Sequence, residues 1–214
     1  VMRYKNNLAY NGGRHIIIYM VNTVGSLTEF ERSIIIGSLL GDGYMRIISG
    51  RANAFLEINH SIKAKAYVDY KYTSLKRLCE SAPKERSTNG DRVAYRFFTK
   101  QYQELTELYN QFYKNNKKII PKDLILDPVT LAIWYMDDGS RCRDYDIYLN
   151  TQQFSISDQK ILLYKLRLLG IDARLNKDKK YFRIRILKTS IETFMRIISP
   201  YVVDSMRYKL VMTP

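Results

Sequence analysis

Two histidines, two cysteines and five prolines are few for a chain of 214 residues. With only His15 and His60 available, zinc chemistry built on histidine clusters is excluded, and a histidine general base is not expected. Cys79 and Cys142 stand far apart with no Cys-x-x-Cys spacing, so neither a zinc ribbon nor a disulfide framework is indicated. Unpaired thiols suit a reducing, intracellular setting, the cytoplasm of a prokaryote or an organelle such as a mitochondrion or plastid. Long apolar runs are also missing. The best, 16–21, is far short of a membrane span. Residues 1–25 hold basic residues and an apolar patch without a cleavage-site pattern, and read as an appended arm or strand rather than a signal peptide. Acidic residues are in short supply: 21 Asp+Glu face 35 Lys+Arg, giving a net charge of +14 and a pI near 9.7. That excess points to a polyanionic partner, nucleic acid before a membrane surface, since no basic amphipathic helix stands out.

What is present is organised around two segments. Ile35-Ile36-Gly37-Ser38-Leu39-Leu40-Gly41-Asp42-Gly43 and Leu131-Ala132-Ile133-Trp134-Tyr135-Met136-Asp137-Asp138-Gly139 are both short apolar helix patterns ending in Asp-Gly. Glycine suits a helix end. Aspartate does not, because the helix C-terminus already carries partial negative charge. Either segment alone reads equally well as a core helix closed by a turn. Two such acids at matching places call for a shared positive charge, and a divalent cation is the natural candidate. Gly37 and Gly41 lie on one helix face, where glycine costs helix stability, so a second backbone is expected to come close there. Ala132 is the small counterpart in the second segment, whereas Met136 is not small. The two helices are therefore expected to pack together with Asp42 and Asp138 at one end. The acids lie about one small domain apart in sequence.

Around these segments the same order of elements recurs, approximately αββαββα in each half. The first helix starts at the Thr28/Glu31 capping-box spacing and runs over 28–41. Strand patterns follow at 44–48 and 55–62, a helix at 63–79, a strand partner within 83–91, a strand at 92–98 and a helix at 101–113. Residues 114–118 read as a polar, basic end. The second half places a helix at 128–138, strands at 146–150 and 153–155, a helix capped by Ser157 and running to 169, a hairpin of 173–176 with 181–187, and a last helix over 189–199. The divisions expected are an arm over 1–27, a first half over 28–120, a linker over 121–127 and a second half over 128–214. In the strand patterns, period 2 puts Tyr181, Arg183 and Arg185 on one face and Phe182, Ile184 and Ile186 on the other. Arg92 and Arg96, like Tyr44 and Arg46, obey the same rule. Any one such strand reads as a solvated charged face. Their recurrence in a +14 chain points to sheets that read DNA.

With these residues in view, the chain resembles the LAGLIDADG homing endonucleases in their single-chain, two-motif form, Asp42 and Asp138 matching the final acidic residue of each motif. Asn115-Asn116-Lys117-Lys118-Ile119-Ile120-Pro121, Leu149-Asn150-Thr151-Gln152 and Tyr208-Lys209-Leu210 are similar to the mitochondrial intron-encoded members. The likeness covers about 30–210, is strong in the second half and weaker between the first motif and Lys117, and leaves the opening 25 residues uncovered. It implies an α+β fold of two pseudo-symmetric halves, with saddle-shaped antiparallel DNA-binding sheets and the motif helices paired at the interface. It also implies a monomer that cuts both strands of one long asymmetric DNA site by metal-dependent phosphodiester hydrolysis, leaving 3′ overhangs, in the service of intron homing. Mg2+ ions, with Mn2+ as a substitute, are then shared between Asp42 and Asp138. The carbonyls of Gly41 and Asp137 are further candidate ligands.

Lys118 and Lys209 match the family's catalytic lysines, one per half. In so basic a chain each alone would read as a surface charge, and Lys117 competes with Lys118. Gln152 is a candidate for ordering water. The DNA-contact set expected comprises Tyr44, Arg46, Arg51, Arg92, Arg96, Arg141, Arg143, Tyr148, Arg174, Tyr181, Arg183 and Arg185. Two alternatives use the same scaffold. One is an intron maturase that binds its own intron RNA, and the other is a catalytically inactive DNA-binding regulator. Retention of both motif acids favours the nuclease.

Overall fold

The structure is a computed structural model and describes residues 9–11, 14–16, 26–87, 92–143 and 146–210. Of the expected N-terminal arm, Ala9–Asn11 (β1) and Arg14–Ile16 (β2) form an antiparallel pair; most of the remaining arm lies outside the described residues.

Helix α1, Glu29–Leu40, begins at a complete capping box. Thr28 Oγ1 accepts from the Glu31 amide, and the Glu31 carboxylate accepts from the Thr28 amide. Arg77 clamps the same carboxylate, which holds the Glu31 carboxyl below its ordinary range despite burial. Strands β3 (Tyr44–Ile47) and β4 (Ala54–Ser61) follow, then α2 (Lys65–Ser74), β5 (Lys84–Ser87), β6 (Val93–Phe98) and α3 (Gln103–Phe112). The strands form one antiparallel sheet in the order β3-β4-β6-β5.

After α3 the chain makes a small hairpin, β7 (Tyr113–Lys114) with β8 (Lys117–Lys118). Its turn is Asn115-Asn116, both at positive φ (51° and 59°), a conformation that asparagine tolerates better than most residues. The sequence reading of 114–118 as a plain basic end missed this turn.

The second half repeats the first: α4 (Pro128–Asp138), β9 (Gly139–Arg143), β10 (Asp146–Leu149), α5 (Ile156–Leu168), β11 (Ala173–Asp178), β12 (Tyr181–Ile186) and α6 (Ile191–Ile198). Its sheet runs β9-β10-β12-β11, the same order as the first. Two expectations are corrected here. Residues 153–155 are not a strand; they turn into α5, and Ser155 rather than Ser157 caps it, accepting from the Asp158 amide. The partner of β10 is instead β9, which leaves α4 directly as extended chain. Its Gly139-Ser140-Arg141-Cys142-Arg143 run lacks the apolar alternation that marks a strand. Gly170, at φ +73°, ends α5 as the glycine placement predicted.

The core is one contiguous apolar cluster that includes both motif helices. Trp134, Tyr135, Ile34, Ile35, Leu39 and Leu40 are fully buried within it. Each sheet turns one face to the helices. Met45, Leu56, Ile58 and Phe97 are buried in the first half, and Ile147, Leu149, Ile184 and Ile186 in the second. Among the described residues no helix is long and apolar enough to cross a membrane.

Candidate active site

Helices α1 and α4 lie against each other because glycine leaves room. A Cβ on Gly37 would fall 2.6 Å from Ile133 Cβ and 2.7 Å from the Thr130 carbonyl, and one on Gly41 would fall 2.4 Å from Asp137 Cβ. Those separations are shorter than van der Waals contact allows. At the N-terminal end of the seam, Asp127 caps α4, accepts from the Thr130 amide and hydroxyl, and also accepts from Ser33 of α1 at 2.8 Å. At the other end the two helices deliver Asp42 and Asp138 to one cavity of about 420 Å3, also lined by Tyr44, Lys118, Asn150 and Gln152.

Of the two lysines expected at the site, Lys118 lines the cavity, whereas Lys209 meets the end of α4 without lining it. Lys118 Nζ donates to Gly41 O at 2.8 Å, and Lys209 Nζ donates to Met136 O at 2.6 Å with Asp137 O at 3.4 Å. Each ammonium thus meets carbonyls at the C-terminal end of a motif helix, where the helix dipole favours a cation. The turn of β7–β8 delivers Lys118. Tyr135 OH steadies the other by donating to Lys209 O at 2.7 Å. Gly41 O, considered as a metal ligand, already accepts from Lys118; a carbonyl has a second lone pair for another partner.

Burial and crowding set the protonation of the site. Burial first, then the charges of Asp42 and Asp137, raise Asp138 from 3.8 to about 7. Burial and the Asp137 carboxylate raise Asp42 as well. Burial lowers Lys118 to about 8, and also lowers Lys209. Two carboxylates crowded at one mouth, each disfavoured as an anion, form a donor set that a divalent cation would relieve. Among the described residues no three His, Cys, Asp or Glu side chains converge into a finished metal cage. Two acids with an open cavity suit an ion whose remaining ligands are phosphate oxygens and water.

A pH dependence follows. Between about pH 4 and pH 7 the folded, metal-free protein keeps a proton on Asp138 that the unfolded chain has released, so this group makes stability fall as pH rises through that window. Burial lowers His60, which acts in the opposite direction below its ordinary range. The comparison with Asp138→Asn isolates the carboxyl. In urea unfolding without divalent ions, the variant's advantage over wild type should grow between pH 5 and pH 8 by on the order of 3 kcal/mol. An advantage that stays constant with pH would contradict the burial of this acid.

Three residues that the sequence reading did not assign stand at the site. Asp137 has no exposed side-chain surface, and neither has Lys71 of α2, whose Nζ lies 2.7 and 2.9 Å from the two Asp137 oxygens. Tyr67 OH donates to the same carboxylate at 2.8 Å. His60, on β4, stands between acids, Nδ1 3.5 Å from Asp42 and Nε2 3.8 Å from Asp137. The place of His60 beside both acids was not foreseen from the sequence. Lys71 falls in the apolar stripe Tyr67-Val68-Lys71-Leu75, but one basic residue among 35 Lys+Arg names no partner.

The other expected residues divide. On the first sheet Tyr44, Arg46, Glu57 and Arg96 share the outer face by register. Arg46 and Arg96 flank Glu57, at 3.9 and 3.4 Å. Arg51 and Arg92 are exposed at the sheet margins. On the second sheet Tyr148, Arg174 and Arg185 are in line across β10, β12 and β11, with Arg183 and Tyr181 on the same face. The Arg183 guanidinium sits 3.8 Å from the Tyr148 ring centre, and Arg185 pairs with Asp146. Arg141 does not join them. It lies opposite Ile147, on the helix side of the sheet, and donates to Leu210 O at 2.6 Å. Its assignment as a DNA contact is corrected on that ground. Arg143 is on β9, and its side chain is outside the described residues. Gln152 lines the cavity, with its amide donating to Asp178 at 2.9 Å.

Two four-stranded sheets hung from paired acid-tipped helices define the architecture of a two-motif LAGLIDADG protein. Residues 32–194 match the LAGLIDADG DNA endonuclease family, and the chain belongs to it. It is 31% identical over 210 residues to the cytochrome b mRNA maturase bI2 of Saccharomyces cerevisiae, covering 89% of this chain but only about half (49%) of that protein. It is 31% identical over 211 residues to the DNA endonuclease I-ChuI of Chlamydomonas applanata, covering 86% of this chain and 96% of that one. Its fold is similar to that of the homing endonuclease I-WcaI bound to its DNA recognition sequence, with a TM-score of 0.81, 24% identity, and coverage of 94% of this chain and 96% of that one.

Proposed function

We propose that this chain is a site-specific DNA endonuclease that cuts both strands of a long asymmetric site, leaving short 3′ overhangs. The observation that carries the reading is the convergence of Asp42 and Asp138, one from each half, on one cavity with Lys118 beside them. Divalent ions, Mg2+ with Mn2+ as a substitute, would be held by the two carboxylates and would supply charge stabilisation at the phosphate and an activated water. Lys118 and Lys209 place positive charge beside each helix end, where negative charge grows on the phosphate oxygens. Asn150 and Gln152 line the wall where water can be ordered. The two sheets present tyrosine and arginine outward, and their differing residues suit two different half-sites read by a monomer.

Arg183→Ala tests the sheet reading. DNA binding measured without divalent ion should weaken by about 1–3 kcal/mol, with relaxed preference at one position of the target. An unchanged affinity and preference would remove Arg183 from the interface.

The similarity to the bI2 maturase, which extends over most of this chain, favours a second reading, RNA binding in aid of splicing. One experiment separates the two. The full chain is incubated with a randomised duplex library and Mg2+, and in parallel with structured intron RNA. Cleavage of a defined subset of duplexes is expected. Tight RNA binding with no cut duplex would replace the nuclease by the maturase.

A further inference from the structure

The two motif acids are not equally supported. Asp137 crosses the seam from α4 and occupies the space that a side chain at position 41 would need. Its Oδ2 accepts from the Asp42 amide at 3.3 Å. Lys71 and Tyr67, both from the first half, fix its carboxylate from behind. Asp42 also has His60 alongside.

The opposite acid has no such backing at the matching positions. The residue preceding Asp42 is Gly41, which has no side chain to send towards Asp138. The place of His60 is taken by Thr151. Gly139 pairs with Leu149, and the Tyr44–Glu57 pairing sets Gly43 against Ile58, so Thr151 is the counterpart two steps on. Thr151 is fully buried and donates to Gln159 at 2.9 Å, away from the site.

We propose that Asp137, clamped by Lys71 and Tyr67, is a positioning residue for Asp42, and that it sets the rate of one strand cut relative to the other. The inference rests on the nuclease reading above. A buried ion pair with one partner removed leaves an uncompensated charge and strongly destabilises the fold. The test variant is therefore Lys71→Met/Asp137→Leu, which removes both charges and the acceptor facing the Asp42 amide while keeping the volume filled. Tyr67→Phe is the milder companion, removing only one hydroxyl from the clamp.

Each protein is given a duplex taken from the cleaved pool, labelled separately on its two strands, and the nicking rates are measured with Mg2+. Hydrogen exchange at the Asp42 amide is followed in the absence of metal and DNA. In the double variant the ratio of the two nicking rates should shift about tenfold or more. The Asp42 amide should exchange faster by a similar factor, and DNA affinity in EDTA should stay at the wild-type level. Tyr67→Phe should move both readouts in the same direction by a smaller factor, which keeps the test intact if the double variant does not fold. Equal loss on both strands, or an unchanged ratio with unchanged exchange at Asp42, would reduce Lys71–Asp137 to a structural ion pair. Wild-type protein that cuts no duplex would instead overturn the nuclease reading itself.

Discussion

Replacing either Asp42 or Asp138 by asparagine should lower DNA cleavage about 10^3-fold while leaving DNA binding in EDTA intact. Both side chains face the same cavity, and each is the acidic tip of a helix whose end already repels an anion. The fold holds these carboxyls at the cost of raising their affinity for protons, with Asp138 brought to about 7. Asparagine keeps the shape and removes the charge that would hold a cation. It also removes the repulsion, so both variants should unfold no more readily than wild type. Loss of cutting therefore cannot be blamed on unfolding. Full cutting by either variant, measured on the same duplex, would take the acids out of the chemistry.

Gly37→Val should have the largest effect on stability, about 3 kcal/mol or more. Even the first carbon of a new side chain would lie within 2.7 Å of the Thr130 carbonyl and 2.6 Å of Ile133 Cβ. Neither atom is the tip of a flexible side chain, so the helices themselves must part. Parting them moves Asp42 relative to Asp138. Cleavage should therefore fall further than the folded fraction does at the same temperature. Urea unfolding gives the first quantity, and the cutting rate of the folded fraction gives the second. A stable Gly37→Val protein with full activity would mean that the seam is looser than its geometry states.

The sequence made the seam legible because glycine at helical spacing and aspartate at a helix end both run against local preference. Such violations need a tertiary reason, and here it is the opposing helix and the shared cavity. The strand faces were legible for a similar reason, since Arg183 and Arg185 alternate with Phe182, Ile184 and Ile186. Arg141 was misplaced because β9 has no such alternation to fix its register; only its pairing with Ile147 reveals which way it points. Lys71, Tyr67 and His60 were silent for another reason. A lysine in a basic chain carries no signal until a buried anion is found beside it, and the sequence reading took Asp137 only for its carbonyl, as a metal ligand. In the first motif the same place is Gly41, and only packing shows that one acid fills the space the other half leaves open.

Each sheet packs mainly on helices of its own half, α2 and α3 against the first and α5 against the second, and the halves join chiefly where α1 meets α4. Outward-facing residues can therefore change one half at a time, except where a strand residue holds the cavity wall, as Asp178 holds Gln152 and Arg183 holds Asn150. Under the proposed function, a lineage carrying this chain can follow a drifting insertion site one flank at a time, and an engineer can graft a new address onto one half while the other still anchors the protein to the old one.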